Sequence, residues 1–263
     1  MDSYFDHVAE GYDKEFTYTE IGKKQRRIVY DFLSDKLELC QNVFEVNCGT
    51  GEDAIWISEK GKNVLATDIS NEMIQVANRK IATKDNPLNV RFEVLDFKKM
   101  DQFAIEKEYD LVFSDFGGLN CLSPIELAGF LKSVKEKVLL PNGRLVLIIM
   151  SKASIWEWLF FLRKLNFRKA FRRNTNKALE VNVNGKMVPT YYYNPSFFRS
   201  LKDDFEITSL QTVGFFLPPS YLEPVFSKMP KLLNFLSELE FRVKNTKMLA
   251  AFSDHYLIEL KPR

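Results

Sequence analysis

Histidine is nearly missing from this chain, at two in 263 residues, and cysteine is scarce at three. Cys40, Cys48 and Cys121 have no metal-ligand spacing, so no metal site is expected. Their odd number also argues against a disulfide framework and for a reducing cytoplasm. A dominant charge is absent as well. The 37 basic and 35 acidic residues leave a net +2, which makes no general case for nucleic acid. No stretch approaches the length needed to span a bilayer. The N-terminus carries Asp2, Asp6 and Glu10 in place of an apolar run, so no signal peptide is expected. Internal repeats and low-complexity linkers are missing too. What remains is an ordinary globular composition, 46% hydrophobic and 27% charged, sized for one large domain with insertions. Phenylalanine is the exception: 23 of them suggest more aromatic-lined space than a core alone requires.

The most informative stretch is residues 43–51, Val-Phe-Glu-Val-Asn-Cys-Gly-Thr-Gly. A short apolar run holds the acid Glu45, a glycine-containing turn follows, and residues 52–58 read as the start of a helix. Small residues let the backbone approach a ligand closely, and the helix N-terminus presents free N–H groups. A nucleotide-like ligand suits such a turn; a purely structural strand-to-helix turn is the alternative.

A second apolar run, residues 63–67, ends in Asp68, placed to hydrogen-bond ribose hydroxyls beside the turn. Val90, Phe92 and Val94 alternate and lead to Asp96-Phe97. Leu111, Val112 and Phe113 lead to Ser114-Asp115-Phe116, and residues 143–150 form a fifth strand. A lone acid after a strand is usually a cap or a turn former. Repetition along one sheet edge is a stronger sign, because open α/β sheets bind their ligands at that edge.

Taken in order, residues 45–51, 68–73, 95–97, 109–114 and 139–145 make the first 150 residues resemble the class I S-adenosylmethionine-dependent methyltransferases of small-molecule type. The opening residues 4–13 are similar to the N-terminal helix that closes over the cofactor in that branch. The resemblance implies an α/β fold: a Rossmann-like, doubly wound seven-stranded sheet with the last strand antiparallel, plus an inserted α+β cover. It implies S-adenosylmethionine as cofactor and S-adenosylhomocysteine as product. By the same resemblance Glu45 and the turn Asn47, Cys48, Gly49 and Gly51 hold the methionine part, and Asp68 holds the ribose. Ile69 and Met73 flank the adenine, and Asp96 and Phe97 cover its edge. Ser114, Asp115 and Phe116 fall near the methionine group, and Tyr4 and Tyr12 belong to the covering helix. Asn47 departs from the family's glycine. Asn tolerates left-handed backbone geometry, so the turn is expected to survive and Asn47→Gly to be neutral or slightly favourable.

Beyond Met150 the pattern changes. Residues 155–162 read as a helix apolar on nearly every face, which suggests burial, and they run into Arg163, Lys164, Arg168, Lys169, Arg172, Arg173 and Lys177. That order leaves membrane-surface contact through 155–177 open. At helical pitch, however, the basic residues scatter around the axis, which favours a solvated helix end. Asn184-Gly185 between alternating residues predicts a hairpin. Residues 205–213 read as a sixth strand, 231–243 as a helix, and 255–260 as a last strand. The whole chain, 1–263, is expected as one domain. Its cofactor-binding core is 1–150, and 151–200 and 215–253 are cap insertions over the acceptor pocket.

The implied sulfonium cofactor is already activated, so the protein mainly aligns acceptor, methyl and sulfur and excludes water. A general base is needed only if the acceptor must lose a proton early. His7, in the covering segment, and Tyr191 and Tyr193 are the catalytic candidates; an extended 191–193 would alternate its tyrosines between two faces. Cys121 is expected as a small pocket wall. The reading is a cytoplasmic methyltransferase, monomer or homodimer, acting at oxygen, nitrogen or carbon of a small, apolar or aromatic acceptor. A nicotinamide dehydrogenase would want Gly-x-Gly-x-x-Gly in the turn. A nucleic-acid methyltransferase would want Asn or Asp, two prolines and an aromatic where Ser114-Asp115-Phe116-Gly117 stands. A protein acceptor or a catalytically silent scaffold stays open, the latter marked by cofactor binding without turnover.

Overall fold

The computed structural model describes residues 5–102, 108–183 and 185–263, so Tyr4 and Asn184 of the expected hairpin lie outside the described residues. Five strands run parallel: β1 (Asn42–Val46), β2 (Asn63–Asp68), β3 (Val90–Val94), β4 (Tyr109–Ser114) and β5 (Leu139–Met150). β6 (Leu179–Val183) and β7 (Lys186–Thr190) form a separate antiparallel hairpin. β8 (Phe205–Val213) and β9 (His255–Pro262) complete a seven-stranded sheet in the order β3-β2-β1-β4-β5-β9-β8, with β9 antiparallel to both neighbours. This is the expected doubly wound α/β sheet.

Central parallel strands are covered on both faces, which is why they read as continuous apolar runs. Alternate residues feed two cores. Leu111, Phe113, Val146 and Ile148 pack with α1 (Glu20–Leu37), α2 (Glu52–Glu59) and α3 (Asn71–Ala82). Val112, Leu145, Leu147 and Ile149 pack with α4 (Pro124–Ser133) on the other side. Side-chain oxygens hold the helix starts against the carboxyl edge of the sheet. Ser70 caps α3 by accepting from the Met73 amide at 3.2 Å, and Ser123 and Glu126 form a reciprocal capping box on α4. The strand order reverses at β1, whose neighbours are β2 and β4. The crevice at that reversal is where sheets of this kind take their ligands.

After β5 the chain forms α5 (Ile155–Leu162) and the short α6 (Phe167–Ala170) before the hairpin. α7 (Pro195–Arg199) precedes β8, and α8 (Glu223–Phe226), α9 (Pro230–Val243) and α10 (Lys247–Ala250) lie between β8 and β9. Burial of α5 is not observed: Glu157 is its one buried residue. Glu157 pairs with Arg172 and Arg173 and turns inward, Trp156 packs on the core, the other apolar residues are half-buried and Leu159 is exposed. Buried Glu240 of α9 accepts from the amides of Gly214, Phe215, Phe216 and Leu217, which fixes the turn that leaves β8. No helix among the described residues is long and apolar enough to cross a membrane.

Candidate active site

The turn after β1 is held by its own side chains. Asn47 and Gly49 take left-handed φ values of 52° and 53°. The Asn47 amide nitrogen donates to the Asp115 carbonyl at 2.8 Å, and its oxygen accepts from the Ser114 hydroxyl at 2.6 Å. Its side chain therefore laces the tip of β1 to the tip of β4. A Cβ on Gly118 would come within 2.3 Å of that side chain, so only glycine fits there. Asn47→Gly thus removes two hydrogen bonds between strand tips, where the sequence suggests a neutral change.

Beside this turn lies a buried charge cluster. Arg26 of α1 donates through Nε to Asp53 Oδ1 at 2.7 Å and through Nη2 to Asp53 Oδ2 and Asp115 Oδ2, each at 3.0 Å. The Tyr30 hydroxyl also donates to Asp53, at 2.7 Å. Burial would raise the Asp53 carboxyl, but the Arg26 guanidinium holds it at about 2. Glu45 is fully buried, and neither of its oxygens has a hydrogen-bond partner among the described residues; Asp115 Oδ1 has none either. Burial first, and then the Asp53 charge, push both Glu45 and Asp115 well above the usual carboxylate range.

A pH prediction follows from Glu45. A carboxyl raised in the folded state contributes stability below its unfolded value, near 4.5, and loses it as pH climbs toward the folded value. The ligand-free protein should therefore soften from about pH 5 upward. Glu45→Gln keeps the shape without the proton and should flatten that slope. Thermal melts of both proteins across this range test it; parallel curves would show that Glu45 is ionised in the fold.

Asp68 closes β2 with its carboxylate already oriented. Oδ2 accepts from the Gly49 amide and Oδ1 from the Ser70 amide, each at 2.9 Å, and burial raises its pKa. A carboxylate has about four acceptor positions, so two remain for a ligand.

These groups line one end of a cavity of about 460 Å³ along the carboxyl edge of the sheet. Phe5, Tyr12, Phe16 and Thr17 cover it from the N-terminal segment, and Val181, Val183, Val188 and Thr190 from the hairpin. The N-terminal cover is strapped down by acids: Asp6 to the Ser70 hydroxyl at 2.5 Å, and Asp13 to the Thr50 hydroxyl and Lys80, each at 2.6 Å. Met150, Cys121, Tyr192 and His255 line the cavity as well. Behind them Arg173 donates through Nη2 to Asp254 Oδ1 at 2.9 Å, ion-pairs with Glu157, and lies 4.7 Å over the Tyr192 ring. Asp254 Oδ2 lies 3.1 Å from His255 Nδ1, and the imidazole meets the Phe116 ring edge-on at 5.4 Å. Burial opposes ionisation of Asp254, but Arg173 and His255 together hold it well below the usual carboxylate range.

Residues 43–143 match a family described as a methyltransferase domain. The demethylmenaquinone methyltransferase of Clavibacter sepedonicus is 26% identical over 157 residues, 59% of this chain and 60% of that protein. This chain thus spans less than two thirds of that relative's length. The fold matches over nearly the whole chain. The PH0226 protein of Pyrococcus horikoshii OT3 is 20% identical, with 96% of this chain and 99% of that one covered and a TM-score of 0.58. Magnesium protoporphyrin IX methyltransferase of Synechocystis PCC 6803, solved with S-adenosylhomocysteine, is 14% identical, with 99% and 97% covered and a TM-score of 0.59. The match to a methyltransferase domain is confined to residues 43–143, and over the chain as a whole the likeness is one of fold. S-adenosylmethionine is the cofactor that this likeness implies. The residues at hand fit that group: four buried acids (Glu45, Asp53, Asp68 and Asp115) face one buried Arg26. A cationic ligand would relieve this crowding of acids, and the unpaired Asp115 Oδ1 suits one bearing an ammonium.

Of the residues the sequence points to, Tyr12, Asn47, Cys48, Gly49, Asp68, Met73, Asp115, Phe116 and Cys121 come together on the cavity wall. Glu45 and Ser114 stand behind it, fully buried. Gly51 packs away from it against Phe92 and Ala77. Ile69, Asp96 and Phe97 do not line it: Asp96 accepts from the Lys98 amide in its own turn, and Phe97 packs edge-on against Phe130. His7 is exposed, with Nε2 at 3.2 Å from the Val183 carbonyl, where it joins the N-terminal cover to the hairpin. The tyrosines alternate as expected but with the opposite parity. Tyr193 is buried with its hydroxyl on the Leu122 carbonyl, Tyr191 packs against the same core, and Tyr192 faces the cavity. Arg26, Asp53, Asp254 and His255 are site residues to which the sequence pattern assigned no role, and Arg173, expected on a solvated helix end, is instead buried.

Asp68→Ala should weaken S-adenosylhomocysteine binding at least tenfold, since each charge-assisted hydrogen bond lost is worth about 1.5–3 kcal/mol. Calorimetric titration measures this. Unchanged affinity in a folded variant would leave Asp68 as a brace for the Gly49 and Ser70 amides alone.

Proposed function

We propose that this chain transfers a methyl group from S-adenosylmethionine to a small, largely apolar or aromatic acceptor by in-line displacement. The observation that carries the reading is the division of one cavity into two chemically distinct ends. The end formed by Asp68, Asp115, Arg26 and the 47–49 turn is acidic and polar. The other is walled by Met150, Val181, Val183, Val188, Tyr192 and Phe116, with one polar cluster, His255, Asp254 and Arg173, among them. The relative named for a demethylmenaquinone acceptor adds weight to an apolar or aromatic guest.

When bound, the cofactor supplies a methyl group on a positively charged sulfur. Asp68 would hold the ribose, and Asp115, whose Oδ1 has no partner among the described residues, would receive the ammonium, with Arg26 keeping Asp115 in place through Oδ2. Tyr12 and Phe16 shut out water from above. His255 takes the acceptor's proton on Nε2. Nδ1 lies 3.1 Å from Asp254 Oδ2, and the residue lines the cavity. Asp254, itself held by Arg173, keeps the remaining proton on Nδ1 and stabilises the imidazolium as it forms. The 151–200 and 215–253 segments act as caps over the acceptor end of a single domain.

The test is incubation of the purified chain with methyl-labelled cofactor and fractionated host metabolites. Label should move into an organic-extractable, ring-bearing product. Cofactor binding with no transfer to any fraction would leave a silent scaffold, and transfer to RNA, DNA or protein alone would replace the acceptor class.

A further inference from the structure

The segment between β5 and β6 carries its polarity inside out. Residues 158–179 hold seven Arg and Lys and no acid. Its large apolar residues face solvent: Leu159 is 60% exposed, Leu165 80%, Phe167 62% and Phe171 48%. Single exposed apolar residues need no explanation, but a contiguous set ringed by charge of one sign does. Leu165 and Phe167 are separated by one residue at the turn, and ring contacts tie the aromatic residues beside them into two groups. Trp158 packs on Phe171 at 5.5 Å and on Phe252 at 5.9 Å, and Phe160 meets Tyr221 at 6.1 Å. Lys164 lies 4.1 Å over the Phe160 ring and Lys169 5.9 Å from that of Phe161. Their stems cover aromatic surface while the ammonium ends remain outside, as cations do at a lipid boundary.

We propose that this patch seats on an anionic lipid surface. Leu165 and Phe167, at the turn between α5 and α6, enter the boundary between headgroups and acyl chains, while exposed Arg163, Lys164, Arg168 and Lys169 meet lipid phosphates. Pairing with a second copy is the poorer occupant, since a two-fold contact brings the same unrelieved cations face to face. Scatter of the basic residues about a helix axis is no obstacle here, because the chain breaks after Leu162 and the surface is built from two short helices and a turn. Tyr221, which meets the patch through Phe160, and Arg172 both line the cavity, so the patch borders it. Resting on the methyl-transfer reading, this makes the acceptor an amphiphile whose ring enters the cavity while an apolar tail stays in the bilayer.

Co-sedimentation of the whole chain with vesicles, without cofactor or acceptor, tests the surface separately from the chemistry. The chain should pellet with phosphatidylglycerol-rich vesicles, far less with phosphatidylcholine alone, and release as salt rises. The pair Leu165→Ser/Phe167→Ser and the pair Lys164→Glu/Lys169→Glu should each lower the bound fraction about tenfold. Thermal melting and S-adenosylhomocysteine affinity should not move. Failure to pellet with anionic vesicles, or equal pelleting of the variants, overturns the proposal. So does a chain that binds no vesicle but sediments as a dimer that Leu165→Ser/Phe167→Ser dissociates, which would assign the patch to a second copy. Loss of methyl transfer with vesicle binding intact would count against the catalytic reading alone.

Discussion

His255→Ala is expected to lower turnover by about 10²- to 10⁴-fold, the range of a positioned proton acceptor. S-adenosylhomocysteine affinity should stay within a few-fold. Asp254→Asn should approach the same loss, because the amide no longer fixes the proton on Nδ1 and frees the ring to adopt the other tautomer. A readout independent of turnover comes from the ring itself. With two histidines in the chain, nitrogen-15 spectra contain two imidazoles, and His7→Gln assigns them. The neutral His255 ring should carry its proton on Nδ1, facing Asp254 at 3.1 Å, and leave Nε2 open to the cavity. Finding the proton on Nε2 in the folded wild type would end the case for His255 as base, whatever the variants do to turnover.

The sheet was legible because its strands leave a local signature, continuous apolar runs in the central strands such as β4 and β5 and alternation in the edge strands β3 and β8. The cofactor end was legible for a related reason: its residues follow their strands directly, as Asp68 follows β2 and Asp115 follows β4. The acceptor end is assembled from distant segments and gave no comparable pattern. His255 opens an antiparallel strand, so its start lies at the edge where the parallel strands end, paired with Met150. That inference was available from the fold alone, yet it needed the strand's direction as well as its existence. Arg26 lies in the middle of α1 and reaches Asp53 and Asp115 across 27 and 89 residues, a distance over which spacing says nothing. The tyrosine run fixed alternation and left parity open, since parity depends on the register beyond β7. The α5 reading failed on energetics: hydrophobicity on every face implies burial only where no stronger interaction competes. Glu157, held by two arginines, takes the buried position and leaves the apolar residues half-buried around it.

Gly51→Val is expected to damage the fold before it damages cofactor binding. By resemblance the turn with Gly51 holds the methionine part of the cofactor, which would make a side chain there collide with the ligand and leave the fold intact. The surroundings of Gly51 give a different reason. Gly51 has φ 76° at the start of α2, and a Cβ built on it would lie 2.7 Å from two ring carbons of Phe92 and 2.9 Å from the Ala77 Cβ. A left-handed conformation costs a residue with a side chain about 1–2 kcal/mol. Forcing extra methyl groups into a packed core adds about 1–3 kcal/mol. The sum, roughly 2–5 kcal/mol, is a large part of the ~5–15 kcal/mol that holds an ordinary domain folded. At about 2–4 °C per kcal/mol for a chain of this size, the midpoint should fall by about 5–20 °C. Gly51→Ala should fall less, and adding Phe92→Leu to Gly51→Ala should recover part of the loss by making room for the methyl group. Loss of S-adenosylhomocysteine binding should track the unfolded fraction in these variants. A Gly51→Val protein that melts like wild type but binds no cofactor would return the residue to the cofactor wall, and the Phe92 contact would then have to yield in solution.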